Sequence, residues 1–139
     1  MLHRRKFLQL SSVGAGTMLS GKLLGSPHFS KGKMPLVIST WDAGISANKG
    51  AWNVLRNGGR ALDAVEQGVM ITENEISCCV GLGANPDRDG HVTLDASIMD
   101  ENGNCGSVCF LERIKHPISV ARRVMDKTPH VMLAGVGAQ

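Results

Sequence analysis

No tyrosine occurs in the 139 residues, and three Phe and two Trp bring the aromatics to only 4%. No run of about 18 apolar residues exists either, which excludes an ordinary membrane-spanning helix. Hydrophobic residues make up 42% and charged residues 19%. That composition is globular, and it excludes wholesale disorder, collagen and a coiled-coil fibre. The length suggests one domain at most. Acidic residues are absent from the first 33 positions, where Arg4, Arg5, Lys6, Lys22, Lys31 and Lys33 all sit. Six of the 15 basic residues therefore belong to this leader. Nine face 12 acidic residues in the remaining 106, a balance of −3 beneath the overall +3. Nucleic-acid binding needs clustered Lys and Arg that displace counterions. The body has no such excess, so nucleic acid is not an expected partner.

What is present begins with residues 1–33 as a targeting segment. His3-Arg-Arg-Lys-Phe-Leu-Gln9 precedes a weakly apolar stretch through Leu24, and a charged start before a short apolar run is the secretory layout. Arg4-Arg5 with Phe7-Leu8 resembles the twin-arginine pattern, although His3 stands where Ser or Thr is usual and Gln9 where Lys is common. Glycine and serine keep the apolar stretch less hydrophobic than a general secretory signal. No clean A-x-A site marks a cleavage point, and the mature start is expected between Gly25 and Lys33. The pathway carries folded proteins, so a bacterial periplasmic enzyme without stable membrane anchoring is expected.

Residues 34–139 alternate between two periods. Leu36–Trp41, β-branched and following Pro35, predicts a strand. Ala47, Ala51, Val54 and Leu55 predict a helix from near Ser46, ended by Asn57-Gly58-Gly59. A second helix is expected from Ala61, with Ala61, Leu62, Val65 and Val69 on one face. Residues 78–87 are rich in turn formers. Val92, Leu94, Ala96 and Ile98 alternate as a half-buried strand. Asp100–Asn104 is a turn signal, and Gly106, Val108 and Phe110 alternate again, so the pair predicts a hairpin. Pro117 opens a helix with Ile118, Ala121, Val124 and Met125 on one face. Thr128-Pro129 stops it before a last strand, His130–Ala134. The order β-α-α-β-β-α-β predicts an α/β layered fold. Little follows the last strand to cover its flank, so the sequence reads as the front part of something longer.

The chemical inventory is thin. Adjacent Cys78 and Cys79 followed by Cys105 and Cys109 do not match paired zinc-ligand spacings. Cys105 and Cys109 fall on one face of a strand, too far apart to bond to each other. A disulfide is open to an exported chain, but an even count assigns no partners; buried or half-buried thiols are the default. His3, His28, His91, His116 and His130 form no H-x-x-x-H pair, and no G-x-S-x-G context occurs. Asp87, Asp89, Asp95 and Asp100 do not reproduce a calcium loop. Gly81-x-Gly83 lacks the rest of a phosphate loop. No metal and no cofactor are expected.

Six ordered stretches carry a resemblance. They are Pro35–Trp41; Ala51-Trp52 with Gly58-Gly59 and Ala61–Glu66; Val80–Gly83 with Pro86-Asp87; Thr93–Asp100; Ile114–Arg122; and Thr128–Leu133. Together they resemble the N-terminal (α-subunit) portion of the glycosylasparaginases, a type 2 asparaginase family of N-terminal-nucleophile hydrolases. The resemblance covers about residues 35–138 and implies part of an αββα sandwich, two sheets between helical layers. It implies a precursor that cuts itself before a threonine. The new N-terminal amine, with a pKa near 8, then serves as base for its own hydroxyl nucleophile. The implied substrate is a small glycosylated asparagine, whose amide to N-acetylglucosamine is cleaved through an acyl-enzyme and an oxyanion hole.

The family's cleavage motif and substrate loops fall beyond Gln139. Thr93 sits in a strand pattern and Thr128 precedes Pro129, so no catalytic residue is expected in this chain. The resemblance also implies a partner β-subunit and a heterotetramer of two α and two β chains. Trp41 matches the tryptophan that ends the first strand and lines the substrate pocket; a core tryptophan closing that strand is the alternative. Asp63, Asp87, Asp95 and Asp100 are expected as loop and turn supports. Ala84 replaces a glycine of the Gly-x-Gly-Gly loop, Cys79 stands where Ser is common, and Asp42-Ala43 replaces an aromatic-containing stretch. Two other readings stay open. One is a plant-type asparaginase or isoaspartyl peptidase, against which Trp41 and Ile114–Pro117 argue. The other is a truncated, non-catalytic partner.

Overall fold

The computed structural model describes residues 35–76 and 79–139; residues 1–33 and the twin-arginine expectation drawn from them lie outside the described residues. Helix α1 spans Gly44–Arg56 and α2 spans Ala61–Asn74. A 3-10 turn at Gly81–Gly83 precedes strands β1, Leu94–Met99, and β2, Cys105–Leu111. Helix α3, Pro117–Lys127, leads to β3, Met132–Ala134, and a second 3-10 turn at Gly135–Ala138. The sheet order is β1-β2-β3, antiparallel in the first pair and parallel in the second. Parallel neighbours need a crossover, and α3 supplies it. The architecture is a layered α/β arrangement with one mixed sheet among the described residues.

The helices form where their sequences permit. Gly58 ends α1 at φ 78°, and its N–H donates to the Leu55 carbonyl at 3.0 Å. Small residues let α1 and α2 lie close: a Cβ on Gly68 would stand 2.8 Å from the Ala47 carbonyl oxygen and 3.3 Å from the Ala51 Cβ. Pro117 opens α3 at a position whose N–H would have no helical partner. Its buried face, Ile118, Ala121 and Val124, meets Leu62, Ile98, Val108 and Leu111 in one core. Leu111 and Ala121 are completely buried.

Four expectations need correction. Leu36–Trp41 is not a strand; Leu36 and Ile38 are more than four-fifths exposed. A β-branched run becomes a strand only when a neighbour supplies the hydrogen-bond ladder, and the described residues pair none with it. On α2 the packed face is Leu62, Ala64 and Gly68, whereas Ala61 and Val65 are exposed. The second strand breaks its alternation at Phe110, which is exposed with φ 56°. There Leu94 pairs with Leu111 and Ala96 with Val108, so two β2 residues oppose Asp95 alone. This bulge turns Leu111 back into the core. Last, β3 is shorter than expected, beginning at Met132.

Candidate functional site

Trp41 stands 79% exposed just before α1. Its carbonyl accepts the Gly44 N–H at 2.9 Å, while the Asp42 carbonyl accepts from Ile45 at 3.0 Å. Ser39 donates its hydroxyl to Asn48 Oδ1 at 2.5 Å, holding the preceding segment against the helix. The indole is thus presented from a fixed turn with its ring in solvent. It is not a core tryptophan in this chain.

The four aspartates divide by element. Asp87 Oδ1 accepts the N–H groups of Asp89 and His91, both at 2.9 Å. Asp100 Oδ1 does the same for Asn102 and Asn104, also at 2.9 Å. Each folds its own turn, and each carboxyl is held below the ordinary carboxylate range. The His91 N–H is the chief cause for Asp87, and the Asn104 side-chain amide for Asp100. Arg60 joins the second turn to the start of α2, 3.1 Å from Glu101 and 3.5 Å from Asp100. Asp63 supports a helix rather than a turn, pairing with Arg122 at 2.6 Å. Asp95 is exposed on β1 and borders a cavity.

That cavity, about 350 Å³, lies between α2, the 79–85 loop, β1 and the start of α3. Its wall includes Glu73, 4% exposed and the one buried charged residue among the described residues. Glu73 Oε1 accepts the Ile118 N–H at 3.0 Å and Oε2 lies 3.1 Å from His116 Nδ1. His116 is the N-cap residue of α3 but makes no side-chain cap, and Pro117 has no N–H. A carboxylate from another helix therefore satisfies the first free donor of α3. Burial pushes the Glu73 carboxyl up, against the Ile118 and His116 hydrogen bonds that favour its charge.

Further along the same seam, Arg122 meets Asp63, Glu66 at 2.5 Å and Asp126 at 3.4 Å. Ser119 donates to Glu66 Oε1 at 2.6 Å. Burial opposes the Arg122 charge, yet the hydrogen bonds to Asp63 and Glu66 raise its pKa. Sequence reasoning passed over Glu66, Glu73, His116 and Arg122. Their signal is a stripe on α2 (Asp63, Glu66, Met70, Glu73) facing the N-cap residue His116 and, on α3 itself, Ser119 and Arg122. Both run at helical spacing.

The described residues hold no nucleophile arranged with a base. The Thr128 hydroxyl donates to the Val124 carbonyl at 2.8 Å, and Thr93 is internal and half-buried. Cys79 is disulfide-bonded, which corrects the expectation of a thiol there. Cys105 and Cys109 are free and half-buried on one face of β2. Among the described residues, no three His, Cys, Asp or Glu side chains stand close enough to hold a metal ion.

Residues 39–139 match the asparaginase family Asparaginase_2. The chain is 50% identical over 142 aligned residues to the N(4)-(beta-N-acetylglucosaminyl)-L-asparaginase of Elizabethkingia miricola, covering 98% of this chain and 42% of that protein. It is 47% identical to the mouse protein of that name over 76% of this chain and 31% of the relative. It is 39% identical to the rat isoaspartyl peptidase/L-asparaginase over 83% of this chain and 34% of the relative. The chain thus spans less than half the length of these curated relatives. The family match takes in most of the chain, including every helix and strand described above, and on that ground the chain belongs to the type 2 asparaginase family.

Proposed function

We propose that this polypeptide is the N-terminal, α-subunit portion of an exported amidohydrolase that cleaves the amide between asparagine and N-acetylglucosamine. The observation that carries the reading is the 50% identity, over nearly the whole chain, to a bacterial protein named for that substrate. Autoproteolysis frees an N-terminal threonine in the partner β-subunit, and its amine is the base for its own hydroxyl. Trp41 lines the substrate pocket once that half is in place. Exposed Leu36, Ile38 and Trp41, and exposed Met99 and Met132 on the sheet, support this reading, because soluble chains seldom leave so much apolar surface uncovered. The finished fold is an αββα sandwich, assembled as two α and two β chains. Residues 1–33 direct export to the periplasm by the twin-arginine route.

The test is co-expression of residues 34–139 with a family β-subunit beginning at Thr, followed by assay of aspartate release from N-acetylglucosaminyl-asparagine. Activity is expected from the pair and not from the 139-residue chain alone. Amide hydrolysis needs an activated nucleophile or metal-bound water, and neither is arranged among the described residues. Hydrolysis by the single chain sinks the reading. The 39% identity to the rat protein favours a second reading, an isoaspartyl peptidase or L-asparaginase. Faster release from β-aspartyl dipeptides than from the glycosylated substrate selects it.

A further inference from the structure

The segment that carries Trp41 is tied to α1 at two points. The Trp41 carbonyl accepts the Gly44 N–H, which fixes where the chain enters the helix. Ser39, two residues earlier, supplies the other tie. Its side chain lies over Gly44, where a Cβ would stand 2.2 Å from the Ser39 Cβ and 2.9 Å from its Oγ. Gly44 is buried although it opens the helix. Ser39 thus occupies the place that any larger residue at 44 would fill. The Ser39 hydroxyl then donates to Asn48 Oδ1 at 2.5 Å. Residues 44 and 48 lie one turn apart on the same helix face, so one side chain is seated on the first and tied to the second. Among the described residues this is the one side-chain hydrogen bond made by residues 35–41. Leu36 and Ile38 stay in solvent, so apolar packing does not hold the segment in place.

We propose that Asn48 is a positioning residue: through Ser39, seated on Gly44, it fixes the direction of the Trp41 indole and with it the affinity for substrate. The proposal rests on the reading of Trp41 as a pocket residue given above. An exposed indole on a loose segment samples many rotamers and backbone positions, and a substrate must freeze them when it binds. A clasp formed on folding has already ordered the segment, so less freedom is lost when substrate arrives. The geometry makes two demands of the sequence. Position 44 must lack a Cβ, or Ser39 is pushed off the helix. Position 48 must offer an acceptor to the Ser39 hydroxyl. Helix α1 by itself makes neither demand, since alanine at 44 and leucine at 48 are better helix formers than the residues present. Gly44 and Asn48 are therefore explained by the segment they hold.

Fluorescence anisotropy decay of the full chain reads the clasp directly. Trp41 and Trp52 are the two tryptophans of the sequence, so Trp52→Phe leaves Trp41 as the only reporter. In that background Asn48→Leu and Gly44→Ala should each widen and speed the nanosecond motion of the indole, with helix content by circular dichroism unchanged. Asn48→Asp keeps an acceptor for Ser39 and should leave the motion as it was. Equal decay in Asn48→Leu and its parent overturns the clasp, whatever the substrate of the enzyme. Kinetics of the chain assembled with a family β-subunit then read the consequence. Asn48→Leu should raise KM for N-acetylglucosaminyl-asparagine severalfold, and Asn48→Asp should keep it near the native value. In a Trp41→Ala background Asn48→Leu should change nothing further. A KM effect that persists without Trp41 overturns the positioning role. A loosened indole with unchanged KM also overturns it, and then the fault lies in the pocket reading of Trp41 rather than in the clasp.

Discussion

Single residues in this chain separate by what surrounds them. Trp41 has solvent around most of its ring, so in the 139-residue chain Trp41→Ala should change stability by no more than about 0.5 kcal/mol. If Trp41 lines the substrate pocket as proposed, the same change in the assembled protein should lower turnover, because a pocket aromatic supplies contact area and excludes water. Urea unfolding of the chain and kinetics of the assembled protein check the two halves. A large stability loss with full turnover reverses the assignment. Asp100 makes the opposite kind of prediction. Its folded carboxyl is depressed by hydrogen bonds from Asn104 and Asn102. Its contribution is thus fully present above its ordinary pKa of about 3.9 and is lost as pH falls through the depressed value. Asp100→Asn should flatten the acid limb of the melting-temperature profile below about pH 4 and leave its neutral plateau lower but level. An unchanged acid limb shows that Asp100 contributes nothing to it. The roles of Asp87 and Asp100 were legible beforehand because each turn is local, a carboxylate accepting from N–H groups two and four residues on. Glu73 was not legible, since its partner lies 45 residues away.

At the scale of elements, the α2–α3 seam is the joint that local pattern describes least. Hydrophobic spacing places Leu62 and Val69 toward the core, but Val65 emerges into solvent. The face is rotated by a polar stripe that must meet Arg122, Ser119 and His116. Arg122 is 22% exposed and holds carboxylates from both helices. Partly buried charge-assisted bonds are worth more than exposed pairs, so Arg122→Ala should cost about 1–3 kcal/mol in urea unfolding. Coupling to Glu66 should appear in a double-mutant cycle with Glu66→Gln. A loss below about 0.5 kcal/mol places the network with ordinary surface pairs. The hairpin shows the complementary case. Its turn and alternation are visible from Val92 to Val108, and the bulge at Phe110 is not, because nothing local says that Leu111 must return to the core.

For the whole molecule, the proposed export and the proposed assembly extend beyond any one element. Replacing Arg4 and Arg5 by Lys removes the planar guanidinium forks that a twin-arginine receptor would read. The double variant of a full-length version should remain in the cytoplasm, as periplasmic fractionation will show. Undiminished periplasmic recovery eliminates that route. Assembly has its own marker in Leu36–Trp41, a segment strand-like in composition and coil in this chain. If the β-subunit covers it, its backbone amides should gain exchange protection on co-expression, and unchanged exchange would mean that the partner docks elsewhere.

The sequence by itself determined the helices α1, α2 and α3, the β1–β2 hairpin with its Asp100 turn, the acid-free composition of residues 1–33, and the family. All of these are written in periodicity, in turn chemistry or in ordered motifs, which act over a few residues or are read in line. Tertiary structure alone decided which face of α2 is buried, where β2 bulges, that no described residue pairs with Leu36–Trp41, and that Glu73 caps a helix 45 residues away. Those outcomes depend on what one element finds beside it in space. A hydrogen-bond ladder, a buried carboxylate and a packed face each need a partner that local spacing does not name.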